Sequence, residues 1–357
     1  MRAKFVAPIA LTLHFVACRQ VLGIEDLPDQ ARTDAAIAPS SPFTITNRVP
    51  SGETLTGAWG MPGYLVAVGT RTVSYFYENG LVERLGGNAA GRDFTAVSGR
   101  SKNDLYASGK TASGGFVSHY DGTRWVVIFE TDTALHGIWC IPEFAGAVLA
   151  VGDNGKVFGL APGETWSLVS VLPKAVTETD VAEAPVLWAI SGRSLDDFAI
   201  AGGSQIFHRE PIFGGFAHYR PVGRGDVAFR SVWQLPGPTT NVILGTNYSG
   251  AAWFTSSDGT DVDASADGGF TYSVSEITRN ETEVGADKRF TTGVWGNSER
   301  IVGVDDHGRI RTEDQGTLNI RKVPSPTDEP LFGVWGNSTD DVWIVGSHEL
   351  ILHGSIR

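Results

Sequence analysis

Short apolar strands separated by polar turns recur along most of the chain. Seven segments share one pattern of apolar, small and aromatic positions: LTGAWG (55–60), FTAVSG (94–99), LHGIWC (135–140), LWAISG (187–192), FRSVWQ (229–234), TTGVWG (291–296) and LFGVWG (331–336). Most are followed by a turn and a second apolar strand that ends in glycine, as in YLVAVG (64–69). Four short strands per repeat of roughly 40–45 residues is the spacing of a β-propeller. The sequence therefore predicts an all-β fold, a seven-bladed β-propeller.

The two ends of the repeated region complete each other. The last repeat stops at ILHGSIR (351–357) without a fourth strand, while the segment 43–60 parallels the segment 318–336. We therefore predict that an N-terminal strand closes the last blade, which leaves no open sheet edge. The propeller is predicted to span 43–357, after a signal peptide and a flexible tether.

Two columns of the repeat predict packing. The third position of the first strand is always Gly, Ala or Ser, which lets the innermost strands crowd toward the axis. The fifth position is tryptophan in five repeats: Trp59, Trp139, Trp233, Trp295 and Trp335. A column this regular predicts packing between blades rather than a platform for sugars.

The second position of the first strand is the column that varies. It holds Thr56, Thr95, His136, Trp188, Arg230, Thr292 and Phe332. This position begins the innermost strand, at the mouth fed by the loops that link consecutive blades. We predict ligand binding there by His136, Trp188 and Arg230. The long linking loop 173–186 is predicted to add Glu178, Asp180 and Glu183.

Charge narrows the choice of partner. The chain has 40 acidic and 28 basic residues, a net charge of −12, and no cluster of Lys and Arg. Binding to nucleic acid is therefore not expected. Acidic residues outnumber basic ones in the linking loops, which predicts an acidic face that binds a polycation, a glycan or a partner protein. The alternative is that these loops are polar only because they are solvated.

The N-terminus has the pattern of a targeting segment. Basic residues within 1–4 precede an apolar stretch at 5–17, which is too short to span a membrane and predicts a signal peptide at 1–17. The sequence FVAC (15–18) resembles the bacterial lipobox. That resemblance implies a lipid on Cys18 and an exported protein anchored to the bacterial cell envelope, at the outer membrane or cell surface. The following residues are rich in Ala, Asp, Pro and Ser and show little periodicity, which predicts a disordered tether over 18–42. Ordinary secretory cleavage after Ala17 is the alternative.

The repeat pattern itself resembles that of a known group of proteins. VWG, a turn, DVW-x-VG and a strand ending in HYDG-x-x-W are similar to the repeats of exported bacterial propeller lipoproteins, most clearly at 331–346 and 94–125. The segment SADGGFTY (265–272) is similar to the Asp-box of BNR-type propellers, with Tyr272 in place of Trp. There the aspartate orders a turn between the outer two strands. The resemblance implies a fold and no particular reaction.

Other polar residues predict structure rather than chemistry. The acidic run at 258–268 partly mimics a calcium loop, but its twelfth position is Val274 instead of Glu, so we expect a solvated loop and no metal. Three histidines recur on the third strands of different blades and are not expected to share a metal: His119, His208 and His353. Asp104, Asp197 and Asp341 are predicted to cap turns. Cys140 is predicted to be a buried thiol. No cofactor is expected.

Three functions are consistent with these features. We predict a non-enzymatic envelope lipoprotein, a monomeric propeller scaffold that binds an envelope protein or glycan through its acidic linking-loop face. The alternative is a carbohydrate-active enzyme of the cell surface, a glycoside hydrolase or lyase. Its pair of carboxylates would come from Glu178, Asp180 and Glu183. A structural spacer without a small ligand is the third interpretation.

Overall fold

The computed structural model describes most of the repeated region. The described residues are 40–85, 91–172, 184–203, 205–209, 216–219, 229–234, 243–246, 252–255, 262–264, 270–272, 291–314 and 320–357. Most of these residues belong to one compact unit, Ser41–Arg357. Within the described part, no helix has the length and apolar character needed to cross a bilayer. The predicted signal peptide and Cys18 lie outside the described residues.

Strands make up nearly all of the regular structure. In chain order they are β1 (Phe43–Asn47), β2 (Leu55–Met61), β3 (Tyr64–Gly69), β4 (Ser74–Glu78), β5 (Leu81–Leu85), β6 (Arg92–Ser101), β7 (Asp104–Thr111), β8 (Gly115–Tyr120), β9 (Trp125–Thr131), β10 (Leu135–Cys140), β11 (Val148–Gly152), β12 (Lys156–Leu160), β13 (Ser167–Val171), β14 (Leu187–Ser194), β15 (Asp197–Gly202), β16 (Gln205–Arg209), β17 (Phe216–Tyr219), β18 (Val232–Gln234), β19 (Ile243–Thr246), β20 (Ala252–Thr255), β21 (Val262–Ala264), β22 (Phe270–Tyr272), β23 (Thr291–Gly296), β24 (Arg300–Asp305), β25 (Ile310–Asp314), β26 (Ile320–Val323), β27 (Leu331–Ser338), β28 (Asp341–Gly346) and β29 (Ile351–Gly354).

These strands form antiparallel sheets around a common axis, so the predicted all-β propeller is confirmed. Six blades are four-stranded: β2–β5, β6–β9, β10–β13, β14–β17, β23–β26, and β27–β29 with β1 beside β29. A further sheet has three described strands, β18, β19 and β20, and β21 pairs with β22 as a hairpin. That hairpin flanks the Asp-box residues 265–269, which lie outside the described residues.

Burial explains why the second strands read as continuous apolar runs. Every residue of β3, β11 and β15 is buried, because a second strand is covered on both faces by neighbouring blades. Such a strand has no solvent face, so its sequence does not alternate. The outermost strands differ, and β13 is mostly exposed.

Small residues at the third position bring neighbouring inner strands into backbone contact. A Cβ atom added to Gly57 would lie 3.0 Å from the Cα of Ala96, and one added to Gly137 would lie 3.0 Å from the Cα of Ala189. A larger residue at either glycine would force the two strands apart. The predicted close approach near the axis is therefore confirmed.

The tryptophan column packs against glycines of the following inner strand. A Cβ atom on Gly99 would lie 3.1 Å from the indole of Trp59, and one on Gly192 would lie 2.8 Å from the indole of Trp139. The same relation holds for two later pairs, Trp295 with Gly336 and Trp335 with Gly60. Trp233 instead donates its Nε1–H to the Gly296 carbonyl, at 2.8 Å. Packing between blades is confirmed for all five tryptophans.

Two repeats have serine instead of tryptophan at the fifth position. The sixth position of the inner strand that follows is then Cys140 or Gln234 instead of glycine. The Ser98 hydroxyl accepts the backbone N–H of Cys140 at 3.0 Å, and the Ser191 hydroxyl accepts that of Gln234 at 3.1 Å. A serine leaves room that an indole would fill. Cys140 is buried as predicted, and burial raises the pKa of its thiol to about 12.

The repeated aspartates do not cap turns, which corrects the prediction from sequence. Asp104 is the first residue of β7, and its carboxylate accepts hydrogen bonds from His119 Nε2 at 2.9 Å and Arg100 Nη1 at 3.0 Å. Asp341 begins β28 and accepts from His353 Nε2 at 2.9 Å. Asp and His therefore fasten the second strand to the third within one blade. These two histidines lie in different blades, each beside the aspartate of its own blade, and the His208 side chain lies outside the described residues.

Asp197 follows a different pattern from the other two. It begins β15, is buried, and pairs with Arg193 four residues earlier. It also accepts a hydrogen bond from Nε2 of Gln234, on the following inner strand. This carboxylate therefore joins two blades rather than capping a turn.

Candidate ligand-binding site at the axial cavity

The variable second positions of the inner strands all line one cavity, which we call the axial cavity. Its volume is about 490 Å³. The second-position side chains around it are Thr56, Thr95, His136, Trp188, Arg230, Thr292 and Phe332. Lys110 and Asp306, at the ends of second strands, also line it. The sequence prediction that the seven second positions meet at one mouth is confirmed. Ligand binding by them stays a prediction.

Three of these seven side chains fasten the inner strands to one another. The Thr56 hydroxyl donates to the carbonyl of Phe94 at 2.9 Å, and the Thr95 hydroxyl donates to the carbonyl of Leu135 at 2.9 Å. Thr292 makes the same bond to the strand that follows it. The acceptor is each time the first residue of the next repeat segment. These threonines therefore have a structural role.

Three consecutive sheets replace that threonine with large side chains that contact one another. The rings of His136 and Trp188 have centroids 4.5 Å apart, and the guanidinium carbon of Arg230 lies 3.7 Å from the centroid of the Trp188 ring. A cation above an indole contributes about 0.5–2 kcal/mol. We call His136, Trp188 and Arg230 the aromatic–cation ladder.

His136 is held in place by a turn of its own blade. Its Nε2 lies 2.8 Å from Oδ1 of Asp153, in the turn after β11. Burial lowers the pKa of His136, Asp153 partly opposes that shift, and the positive charges of Lys110 and Arg230 reinforce it. The imidazole is therefore neutral near pH 7, with its Nε2–H donated to the carboxylate.

The described linking loops are less acidic than their sequence indicates, because four of their carboxylates pair with basic side chains. Glu53 accepts from Arg71 at 2.9 Å, and Asp132 accepts from Lys156 at 3.2 Å. Glu130 and Glu329 pair with Arg92 and Arg48. Arg71 lies between a second and a third strand, and Lys156 begins a third strand, at the same end of the propeller as the linking loops. A count over linking loops alone leaves those two bases out.

Some of the predicted site residues lie outside the described residues, and some residues at the cavity were not predicted from the sequence. Glu178, Asp180 and Glu183 lie outside the described residues, so their place at the mouth stays a prediction. Sequence reasoning missed Lys110, Asp153 and Asp306. The signal was available, because each lies at or just beyond the end of a second strand, and the turns that follow second strands lie at the same mouth as the linking loops.

One acidic cluster in the described residues has the composition of a metal site. Oxygen and nitrogen atoms of Asp305, Asp306 and His307 lie within 4.8 Å of one another. However, Asp305 is buried and accepts the backbone N–H groups of His307 and Arg309, both at 3.0 Å. Its carboxylate orders the turn after β24, so the cluster is a structural turn.

Comparison with known proteins agrees with the fold class. No protein-family model and no curated protein sequence matches the chain. YCF48 from Cyanidioschyzon merolae is similar in structure, with a TM-score of 0.64 and 12% identity over 88% of this chain and 99% of that chain. YCF48 bound to D1 peptide gives a TM-score of 0.61 and 13% identity over 89% and 98%.

An enzyme is also among the similar structures. Catalytically inactive virginiamycin B lyase from Staphylococcus aureus, with quinupristin, gives a TM-score of 0.59 and 11% identity over 88% of this chain and 99% of that chain. At such low identity the likeness concerns the fold alone. The chain is a β-propeller, a fold that here includes both a peptide-binding protein and a lyase.

Proposed function

We propose that this protein is a non-enzymatic binding scaffold whose partner, an envelope protein or glycan, docks on the face around the mouth of the axial cavity. The observation that carries this proposal is the aromatic–cation ladder. Large side chains that contact one another stand at three consecutive sheets, in the position where three other inner strands carry the strand-fastening threonine. Their place at a shared opening fits recognition better than assembly of the ring.

The scaffold in this proposal is a seven-bladed propeller closed by its N-terminal strand. Each inner strand packs against the next, and β27 packs against β2. β1 pairs with β29 in an antiparallel register that begins at Phe43 opposite Gly354. The three-stranded sheet β18–β20 is the remaining blade.

The remainder of the proposal concerns the N-terminal region. Residues 1–17 are a lipoprotein signal peptide, and 18–42 are a tether that begins with lipidated Cys18. Residues 43–357 are the propeller. A flexible tether of this length reaches about 25–30 Å, which holds the propeller clear of a bilayer. The proposed location is the bacterial cell envelope.

Binding is better supported than glycoside hydrolysis. A glycosidase typically requires two carboxylates flanking the scissile bond. Among the described residues that line the axial cavity, Asp306 is the single carboxylate, and the residues predicted to supply a pair, Glu178, Asp180 and Glu183, lie outside the described residues. In one similar structure the propeller carries a bound peptide. A protein partner is therefore the first to test for.

Replacing both His136 and Arg230 with alanine is expected to reduce partner capture at least about tenfold, because side chains that anchor an interface carry most of its binding energy. The propeller should stay folded, since the inner-strand threonine bonds are untouched. The measurement is crosslinking in intact cells of the full lipoprotein, followed by mass spectrometry. A Cys18→Ser form tests whether capture needs the anchor.

A matched control removes two charges from the other end of the propeller. Lys102 and Arg124 lie in exposed turns opposite the mouth, and their double alanine variant should capture the partner like the wild type. Undiminished capture by the folded His136→Ala/Arg230→Ala variant would remove the ladder from the proposed interface.

A further inference from the structure

The outermost strand β13 is an exposed sheet edge that carries neither charge nor proline. It lies at the end of the sheet β10–β13, and no other described strand pairs with its outer side. Leu168, Val169 and Val171 are each more than half exposed. A bulge at Val169 bends the strand, but the outer side of its backbone stays unpaired. A bare apolar edge of this kind favours pairing with a strand of another chain.

Other described outermost strands are better protected. β5 and β26 each carry two charged residues, which are Glu83 and Arg84 in β5 and Arg321 and Lys322 in β26. β1 exposes one large apolar side chain, Ile45. β9 exposes three, but its Phe129 is covered by Phe158 and Trp166 of the sheet β10–β13, and Glu130 lies near its end. Among these strands, β13 combines the greatest apolar exposure with no charge.

The apolar surface continues beyond the start of β13 and is acidic there. Phe144, in the turn between β10 and β11, is nearly half exposed. A Cβ atom added to Gly146 would lie 3.9 Å from the Cα of Pro162, so this turn lies beside the turn between β12 and β13. The two turns hold Glu143 and Glu164, both exposed, and neither forms an ion pair with a described basic side chain. We call β13 and these two turns the β13 edge.

Charge and size indicate what the β13 edge binds. The chain has a net charge of −12, so a second copy is repelled, whereas a basic segment is attracted by the whole chain and by the two local carboxylates. A strand of five residues spans about 17 Å. That length matches one extended segment and offers too little surface for a stable interface between folded domains, which buries roughly 1,200–2,000 Å².

We propose that the β13 edge binds an extended segment of a partner protein as a fifth, antiparallel strand. The segment alternates apolar and polar residues and has basic residues at its C-terminal end. Backbone groups of β13 supply the hydrogen bonds, and Leu168 and Val171 supply apolar contact. Neighbouring strands of this sheet are antiparallel, so antiparallel addition places the C-terminal end of the segment beside Glu164. This is a second interaction surface, and it goes beyond the docking proposed at the axial cavity.

The test uses the full chain and the peptide acetyl-Val-Thr-Val-Thr-Val-Lys-Lys amide as the probe, with isothermal titration at low salt. The probe should bind, and Leu168→Lys should weaken binding at least about fivefold, because it places a charge in the apolar contact. Leu81→Lys is the matched control, since it adds the same charge at an exposed leucine of β5. It should leave binding within about twofold. Both leucines are exposed, so both variants should fold, which circular dichroism checks.

Backbone methylation of the probe separates strand pairing from apolar contact. Alternate residues of a strand direct their N–H groups to opposite sides, so N-methylation of the valines and of the threonines removes donors from different sides. One methylated probe should bind at least about tenfold more weakly than the other, because it loses the bonds to β13. Equal affinity of the two probes would overturn the added strand.

The acidic end has its own test. Glu143→Gln/Glu164→Gln should weaken probe binding about two- to fivefold at low salt, and the difference should disappear as salt is added. Glu83→Gln/Asp328→Asn removes the same charge elsewhere and should have a smaller effect. Equal effects of the two double variants would overturn the assigned basic end of the segment.

Three further results would overturn the inference. They are absence of probe binding, equal loss of binding with Leu168→Lys and Leu81→Lys, and self-association as the true use of the edge. Sedimentation detects the last as a dimer that Leu168→Lys abolishes and Leu81→Lys preserves. First and second strands line the axial cavity, whereas β13 is outermost, so none of these results bears on the docking proposed at the cavity.

Discussion

Replacing Phe43 with alanine is expected to lower the free energy of unfolding of the Ser41–Arg357 unit by about 3–5 kcal/mol. Phe43 begins β1, is 2% exposed, and belongs to a core cluster that includes Ile344, Leu352 and Ile356. The substitution removes a buried ring and leaves a cavity between β1 and the last sheet. Denaturant unfolding followed by circular dichroism measures the loss.

The same strand provides the control. Ile45 is 44% exposed, so Ile45→Ala should change stability by no more than about 0.5 kcal/mol. Deleting residues 41–47 should lower the stability more than Phe43→Ala does. It should also promote self-association, because it leaves β29 as an open edge. Equal effects of Phe43→Ala and Ile45→Ala would show that β1 does not belong to the folded core.

Replacing Glu349 with alanine is expected to cost about 3 kcal/mol, because it breaks a buried network between the last and the first sheet. Glu349 is 2% exposed. Its carboxylate accepts from Arg84 Nη2 at 2.9 Å and Arg84 Nε at 3.1 Å, and from the hydroxyl of Tyr75. Burial and Glu349 together raise the pKa of Tyr75 to about 12, so the phenol stays protonated as the donor. Thermal and denaturant unfolding of Glu349→Ala measure the effect.

The direction of the pKa shift of Glu349 predicts how the stability of the fold changes with pH. Burial alone would raise the pKa of Glu349, but the bonds from Tyr75 and Arg84 outweigh burial and leave it below the ordinary glutamate value. A folded-state pKa below the unfolded one stabilises the fold above about pH 4.3, and this contribution is lost as the pH falls through the folded-state pKa. Glu349→Gln should therefore flatten the acid limb of the stability profile.

A neighbouring glutamate serves as the comparison. Glu53 pairs with Arg71, whose side chain is 73% exposed, so Glu53→Gln should cost at most about 1 kcal/mol. An acid limb in Glu349→Gln as steep as that of the wild type would contradict the assigned role of this carboxylate.

The sequence predicts the interior of the propeller well, because each repeat places the same position in the same surroundings. Small residues at Gly57 and Ala96, and an indole at Trp59, recur because every inner strand meets a neighbour in the same way. What a single strand cannot reveal is the partner on the next one. The pairing of Ser98 with Cys140 depends on a contact between blades, which becomes visible only when the strands are placed side by side.

The sequence predicts which residues share the column at the cavity, but not which of them contact one another. His136 and Thr56 share one column, but the Thr56 hydroxyl reaches a backbone carbonyl of the next strand, whereas His136 contacts Trp188. Lys110 and Asp153 were missed because the prediction considered linking loops and not the turns after second strands. Asp104 was misassigned because its partner, His119, lies 15 residues away across a sheet.

The central claim is that the partner docks on the face around the axial cavity, and photo-crosslinking from the two ends of one sheet tests it most directly. Ala112, in the exposed turn after β7, lies on the mouth face, and Lys102, in the exposed turn before β7, lies on the opposite face. A photoreactive phenylalanine is placed at each position in turn and irradiated in living cells. The account predicts one discrete protein adduct from position 112 and none from position 102. An adduct from position 102 alone would contradict it.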